Sequence, residues 1–288
     1  MGDTGVQDFP CDLCGSDDCA EIEVARHYMG EGRLHVCKEC GFVYVRRRRS
    51  AQAIADEWSD ELYQTKYTAR IPAIVARQTF VAEFINSEIG LGAKTVCDIG
   101  AGEGLFLDMI REDRFGADVF GIEPSGANGK LMGKLGIDHF VGTIEDYAAS
   151  GKETEFDIAT IMWTLENCQS CLGMLRSTAE LLKDGGHVVV STGSRILVPF
   201  KKPLHYYLGP NEADTHAFRF SFNALARALA LSGFEVIAHN RYIDNDVLAV
   251  IARKTETPPS HASVDEWQDV VGFFDRWHAE TQEFYSGT

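Results

Sequence analysis

The first residues whose spacing carries chemistry are cysteines. Cys11 and Cys14 stand in "CDLC" and Cys37 and Cys40 in "CKEC", with two residues between the thiols of each pair and 22 between the pairs. A C-x-x-C turn presents two thiolates to one tetrahedral ion, and two such turns close its shell with no open position, the pattern of a structural Zn2+ site. Gly15 and Gly41 follow directly and permit the tight backbone of such turns. Cys19 is left over as an alternative to Cys14, but the second glycine-bearing knuckle favours the symmetric pairing. A unit of about 40 residues is too small to be held by its own core, so the ion supplies its folding free energy. Of the eight cysteines, Cys168 and Cys171 form one more C-x-x-C on an expected helix. With no second pair to complete a site they read as structural thiols, and Cys97 as a thiol buried in a strand.

The second constellation is "TVCDIGAGEGLFLDMI", Thr95 to Ile110, where a β-branched run breaks into Gly100, Gly102 and Gly104 and resumes with helical periodicity. This is not the dinucleotide spacing G-x-G-x-x-G, because the glycines fall at every second residue and Asp98 precedes them. A carboxylate aimed at the ligand suits a positive charge there better than a pyrophosphate. Glu123 ends the next expected strand, where an acidic side chain accepts both hydroxyl hydrogens of a ribose. A ligand with a ribose, a cationic group and no phosphate is implied, and S-adenosylmethionine fits that description.

The elements that must position these residues follow from periodicity. Residues 51–66 and 72–90 read as helices, the second with Ile74, Val81, Phe84, Ile85 and Ile89 on one face and Pro72 in its first turn. Strands are expected at 94–99, 117–123, 137–141, 155–162 and 187–192, with helices near 103–113, 125–135 and 169–183. After a loop-rich stretch from Gly193 to Phe220 come a helix over 221–233 and an antiparallel pair of strands, 234–242 and 246–254. Such alternation predicts an α/β fold with a doubly wound, Rossmann-like parallel sheet whose ligands sit at the carboxyl ends of its strands.

The chain has 288 residues, 45% of them hydrophobic, enough for one well-buried domain plus a smaller unit. Its net charge of -16 disfavours a nucleic-acid partner. No apolar run approaches the roughly eighteen residues of a membrane span, and the first residues lack the basic-then-apolar order of a signal peptide, so a cytoplasmic location is expected. The only dense basic run is Arg46 to Arg49. It reads as a solvated connector balanced by the acidic helix after it, or as a grip on a phosphate or carboxylate.

"VCDIGAGEGLFLDMI", "GIEPS", "GTIEDY", "FDIATIMWTLEN" and "ELLKDGGHVVVST" resemble, in order and spacing, the successive motifs of the class I S-adenosylmethionine-dependent methyltransferases, from about Lys94 to Lys254. The resemblance implies a sheet closed by an antiparallel last strand. It places Asp98 at the methionine amino group, directly or through water, and lets the backbone at Gly100, Gly102 and Gly104 approach the amino-acid and ribose parts. Glu123 would hold the ribose hydroxyls, Ile144 and Glu145 would meet adenine, and Trp163 and Thr164 would face cofactor and substrate. Asn167 stands where many relatives have a histidine. Tyr63 and Tyr67 resemble paired tyrosines of a cofactor lid. "CDLCGS...VCKECGFVY" ahead of such a domain is similar to a zinc module on bacterial methyltransferases, several of which act on sugars or nucleotide-linked sugars. Those usually continue with an "NPRPS"-like segment, where this chain has "RRRRS".

The implied reaction is methyl transfer to a small polar acceptor, anionic or sugar-containing, with a base to take the acceptor proton. The loop after the fifth strand supplies His205, Tyr206 and His216, and His216 ranks first because it precedes "FRFS", where relatives often have a histidine. Lys201 and Lys202 in the same loop could meet an anionic substrate. A cofactor-binding scaffold or sensor without catalysis and an RNA methyltransferase are the alternatives. Residues 264–284 place Trp267, Val270, Val271, Phe274 and Trp277 on one helix face, to pack on the domain or form a homodimer. The division expected is a zinc ribbon over 1–50, a helical connector or lid over 51–92, the S-adenosylmethionine-binding domain over 93–254, and a linker with a C-terminal amphipathic helix over 255–288.

Overall fold

The computed structural model describes residues 6–30, 32–50, 71–151, 155–199, 202–209, 216–257 and 263–286. The helix expected over 51–66, with Tyr63, Tyr67 and Lys201, lies outside them. The amino-terminal unit comprises β1 (Gln7–Asp8), β2 (Cys19–Glu21), α1 (Arg26–Met29), β3 (Leu34–Cys37), β4 (Val43–Val45) and β5 (Arg47–Arg48). Helix α2 (Ile71–Glu88) leads into the alternating part: β6 (Thr95–Ile99), α3 (Leu105–Arg111), β7 (Asp118–Glu123), α4 (Gly126–Lys134), β8 (Asp138–Val141), α5 (Ile144–Ala149), β9 (Phe156–Met162), α6 (Cys171–Leu181) and β10 (Leu182–Thr192). The chain ends with α7 (His205–Leu208), β11 (Phe218–Arg219), α8 (Phe222–Leu231), β12 (Phe234–His239), β13 (Leu248–Lys254) and α9 (Trp267–Ser286).

Seven strands form the main sheet in the order β12-β13-β10-β9-β6-β7-β8. Strands β6 to β10 are parallel, and β13, last in the chain, is antiparallel to both neighbours. Apolar side chains alternate between the two faces, as a strand with helices on both sides requires. Val96, Ile158, Val189 and Ile251 pack with Val81, Ile85, Phe106 and Ile110, while Cys97, Ala159, Val188 and Val250 pack with Leu175 and Leu225 on the other side. The doubly wound expectation therefore holds, and expected strand ends agree to within one residue for β6 to β9. Strand β10 starts earlier than expected because "LKDGG" is a bulge inside it, between Leu182 and His187, with the Lys254 ammonium donating to the Leu182 carbonyl at 2.7 Å. Helix α5 has no counterpart among the expected elements. Its start is a capping box, the Thr143 hydroxyl accepting from Asp146 N and the Asp146 carboxylate from Thr143 N.

The amino-terminal unit is built into the main fold. Strand β11 pairs antiparallel with β4, Phe218 opposite Tyr44, and completes a four-stranded sheet in the order β11-β4-β3-β2. Phe42 stacks on Phe218 and lies 5.6 Å from Phe220, so an apolar face that the small unit cannot cover alone is shared. On the opposite side α9 buries Val270, Phe274 and Trp277 against Ile22, Leu34 and Val36. Its apolar stripe is thus occupied within this chain, the first of the two packings expected for it.

A second tie is polar. Asp12, between two knuckle cysteines, accepts hydrogen bonds from Ser170 Oγ, Cys171 Sγ and Leu172 N, each at 3.0 Å, at the amino end of α6. A carboxylate there meets both unpaired amides and the positive end of the helix dipole. Asp12→Ala is expected to lower unfolding free energy by about 1–3 kcal/mol in urea titration, since it strands several donors. An unchanged midpoint would deny the clamp any energetic role.

The arginine run is not a solvated connector at Arg48, which is buried with its guanidinium 4.5 Å from the Phe9 ring and 4.9 Å from the Phe218 ring. Cation–π contact repays part of its desolvation, so the residue fastens the ribbon's edge. Arg46 instead pairs with Asp17 at 3.1 Å and reaches Cys19 Sγ at 3.6 Å.

Candidate functional site

The carboxyl edge of the parallel sheet gathers most of the residues singled out in the sequence. Behind β6 the three glycines take φ of +75°, +56° and +83°, a left-handed region that costs glycine nothing. A side chain on Gly100 would also collide with Thr164. The bend turns the chain's amides toward β7. Gly100 N donates to the Ile122 carbonyl at 2.8 Å, and Gly102 N donates to Glu123 Oε2 at 2.8 Å. Glu123 Oε1 accepts from Ser125 N at 2.9 Å. An ionised carboxylate offers about four acceptor positions, so the two backbone amides leave room for further donors, the Asn128 side chain among them.

Both acids are buried, Asp98 at 2% and Glu123 at 5% exposure. Burial pushes the Asp98 carboxyl up to about 7, against the hydrogen bond donated by Thr160 Oγ1 at 2.6 Å. It also raises Glu123, against the backbone donors of Ser125 and Gly102 and the Asn128 side chain. Two buried acids with no ion-paired cation among the described residues form a cradle suited to an ammonium and paired hydroxyls. Ile144, buried, and Glu145, exposed, open α5 beyond β8. Trp163, directly after β9, has φ of +54°, uncommon outside glycine and held by Trp163 N donating to the Ser191 carbonyl at 2.7 Å and by Asn167 Nδ2 donating to the Trp163 carbonyl at 2.8 Å. Asn167 therefore braces this turn. Tyr67 is outside the described residues.

The loop after β10 divides its candidates. His216 lies at the sheet edge, its Nδ1 hydrogen-bonded to the Ser194 hydroxyl, and Arg219 donates to its carbonyl at 2.6 Å. The following backbone is held twice: Ala217 N donates to the Glu166 carbonyl at 2.7 Å and Val45 N to the Ala217 carbonyl at 2.8 Å. His205 and Tyr206 sit instead on α7, where His205 Nε2 meets the Tyr285 hydroxyl of α9 at 2.9 Å and Tyr206 is 67% exposed.

The four knuckle cysteines converge, every Sγ within 4.8 Å of the others, with Cys11, Cys37 and Cys40 buried. Cys11 and Cys40 are 3.6 Å apart, Cys14 and Cys37 3.4 Å. A tetrahedral ion with metal–sulfur bonds near 2.3 Å needs sulfurs about 3.8 Å apart, so the set fits. Cys37 is driven down to about 2, first by the hydrogen bond from Cys11 and then by that from Cys40, while Cys11 is pushed well up as the donor. A side chain on Gly41, at φ +69°, would strike the Asp265 backbone. Cys19 stands outside the cluster. Cys168 and Cys171 are raised by burial, donate to the Leu165 carbonyl and Asp12, and join no metal-ligating group among the described residues.

A family model described as a methyltransferase domain matches residues 63–239, more than half of the chain. The chain belongs to the methyltransferase-domain family. Its curated relatives include the ubiquinone biosynthesis O-methyltransferase of Aliivibrio fischeri, 32% identical over 126 residues, 41% of this chain and 51% of that one. That of Escherichia coli O157:H7 is 30% identical over 151 residues, 50% of this chain and 59% of the relative. The chain spans about half the length of the curated relatives it matches. Among solved structures, the 1,6-didemethyltoxoflavin-N1-methyltransferase of Burkholderia thailandensis, with 1,6-didemethyltoxoflavin and S-adenosylhomocysteine bound, superposes with a TM-score of 0.55 at 16% identity, covering 79% of this chain and 97% of that one. This likeness shows the fold. No helix among the described residues is long and apolar enough to cross a membrane.

Three residues of the methyltransferase domain escaped the sequence reading. Thr160 donates to Asp98, Ser194 meets His216, and Arg195 follows Ser194 in the chain and donates to the Val247 carbonyl. Thr160 left a signal as the one hydroxyl in the apolar run "FDIATIM". Ser194 and Arg195 sit in a loop whose return to the sheet edge depends on pairing with β4, which nothing local announces.

Proposed function

We propose that this methyltransferase-family chain binds S-adenosylmethionine at the β6–β7 edge and transfers its methyl group to a small polar acceptor, a sugar or nucleotide-linked sugar among the candidates. The observation that carries the reading is the pair of buried acids, Asp98 and Glu123, set around the glycine bend. When bound, S-adenosylmethionine supplies an electrophilic methyl on a sulfonium whose carbon–sulfur bonding pair leaves on sulfur. Asp98 holds the amino group, and Glu123, fixed by Gly102 N and Ser125 N, accepts from the ribose hydroxyls. Ile144 and Glu145 flank the adenine, and Trp163 borders the methyl-bearing end. His216 takes the acceptor proton as its oxygen bonds to the methyl carbon, with the Ser194 hydroxyl fixing the imidazole. His205, joined to Tyr285, and Tyr206, largely exposed, are secondary as base candidates. Cys11, Cys14, Cys37 and Cys40 would hold a structural Zn2+. A cytoplasmic setting suits eight cysteines of which none forms a disulfide. The O-methyltransferase relatives favour an oxygen acceptor over the RNA and non-catalytic alternatives.

The test is calorimetric titration with S-adenosylhomocysteine across pH. In the free protein the Asp98 carboxyl is raised from 3.8 to about 7, so its stabilising contribution is full below the unfolded value and is lost as pH rises through about 7. The ligand ammonium favours the ionised form. Binding is therefore expected to release a proton near neutrality and to be on the order of tenfold weaker at pH 6 than at pH 8. No binding to the folded protein would remove the reading, and pH-independent binding would remove Asp98 from the ammonium. His216→Gln should lower the turnover rate of an identified acceptor by about 10²–10⁴ while leaving S-adenosylhomocysteine affinity unchanged. Wild-type turnover would remove His216 as the base.

A further inference from the structure

Beside Trp163, past the end of β10, lies a recess of about 60 Å³ whose walls include Gly193, Arg195, Tyr207, Tyr242, Asp246 and Trp277. A methyl group on Gly193 would stand 3.6 Å from the Trp163 ring, so Gly193 lines the recess and faces the turn after β9 at once. That volume is about two waters' worth, room for the head of a ligand.

Two cations, Arg195 and Lys202, line this recess, and Arg195 is the one beside Gly193. It is half-buried, its Nη1 donates to the Val247 carbonyl at 3.2 Å, and its guanidinium sits 5.2 Å from the Tyr242 ring. Among the described residues no carboxylate lies within ion-pair reach of it. Asp246, in the same wall, is engaged by Arg77 at 2.9 Å. In a chain with 43 acidic and 27 basic residues, a half-buried guanidinium without an acid is conspicuous. Burial lowers its pKa, yet arginine keeps its proton and five donors in a fork that matches a carboxylate or phosphate.

We propose that Arg195 anchors an oxyanion of the methyl acceptor, a carboxylate or a phosphate, and so selects acidic small molecules. This rests on the methyl-transfer reading above. The anion sits in the recess with the nucleophilic atom directed past Gly193 toward Trp163, and Tyr242 stacks behind the guanidinium as its support.

The experiment loads the full-length protein with S-adenosylhomocysteine and titrates inorganic phosphate and, separately, acetate by calorimetry at constant ionic strength. Saturable binding of at least one anion is expected, at least tenfold weaker in Arg195→Ala and partly restored in Arg195→Lys, with S-adenosylhomocysteine affinity unchanged in both. The preferred anion then tells a phosphate-bearing acceptor from a carboxylate. Equal affinity in Arg195→Ala, or no saturable binding of either anion, overturns the proposal. Should Arg195→Ala not fold, Arg195→Gln, which keeps the stem, gives the same comparison. Should S-adenosylhomocysteine fail to bind, the methyl-transfer reading falls, while anion titration of the unloaded protein still judges Arg195.

Discussion

Glu123→Ala should weaken S-adenosylhomocysteine binding by a hundredfold or more. Glu123 is the proposed acceptor for two ribose hydroxyls, and hydrogen bonds to a charged group contribute about 1.5–3 kcal/mol each. Each 1.4 kcal/mol is about tenfold in affinity. The substitution also removes the acceptor of Gly102 N and Ser125 N, so the glycine bend keeps only its backbone bonds to Ile122 of β7. Glu123→Gln separates the two effects, because its amide oxygen keeps one acceptor while the charge is gone. Calorimetry of both variants against the parent protein decides the matter. Near-parental affinity in Glu123→Ala would place the ribose elsewhere, and the assignment of Asp98 would fall with it, since both follow from one pose.

Cys37→Ser is expected to produce the largest loss of stability. Cys37 is fully buried, belongs to the four-thiol cluster and is the last residue of β3. Structural zinc contributes about 10–16 kcal/mol to the folding of small peptide domains. Here Phe42, Tyr44 and the stripe of α9 retain part of the packing, so several kcal/mol should be lost. At about 2–4 °C per kcal/mol for a domain of this size, the melting temperature should fall by roughly 10 °C or more, and bound zinc measured by elemental analysis should vanish. Because β4 holds the backbone after His216, turnover should suffer more than cofactor affinity. A zinc-free protein with the parental melting curve would refute a structural metal.

The main sheet was legible because each strand from β6 to β9 carries its own period and punctuation. Asp98, next to last in β6, and Glu123, last in β7, stand where periodicity alone locates them. The knuckles were legible for a different reason: metal chemistry imposes spacing. Illegible features depend on distant partners. Arg48 looks like part of a solvated run until Phe9 and Phe218 close over it. The apolar face of α9 is plain in the sequence, but its cover comes from the opposite end of the chain. The candidate bases could be listed from one loop, yet His216 and His205 are separated only by the pairing of β11 with β4 and by the contact of His205 with Tyr285.

That pairing has a bearing on how the chain folds as it is made. Asp12 meets Cys171, 159 residues later, and Tyr28 meets His278 after 250. The ribbon is synthesised first, with β4 as an edge strand and Phe42 uncovered, and it remains so until β11 and α9 have been made. Contacts of such sequence separation form slowly, since a long loop must close before they give anything back. Metal capture by the knuckles, which needs only the first 40 residues, would give the nascent chain a folded anchor onto which the late segments dock.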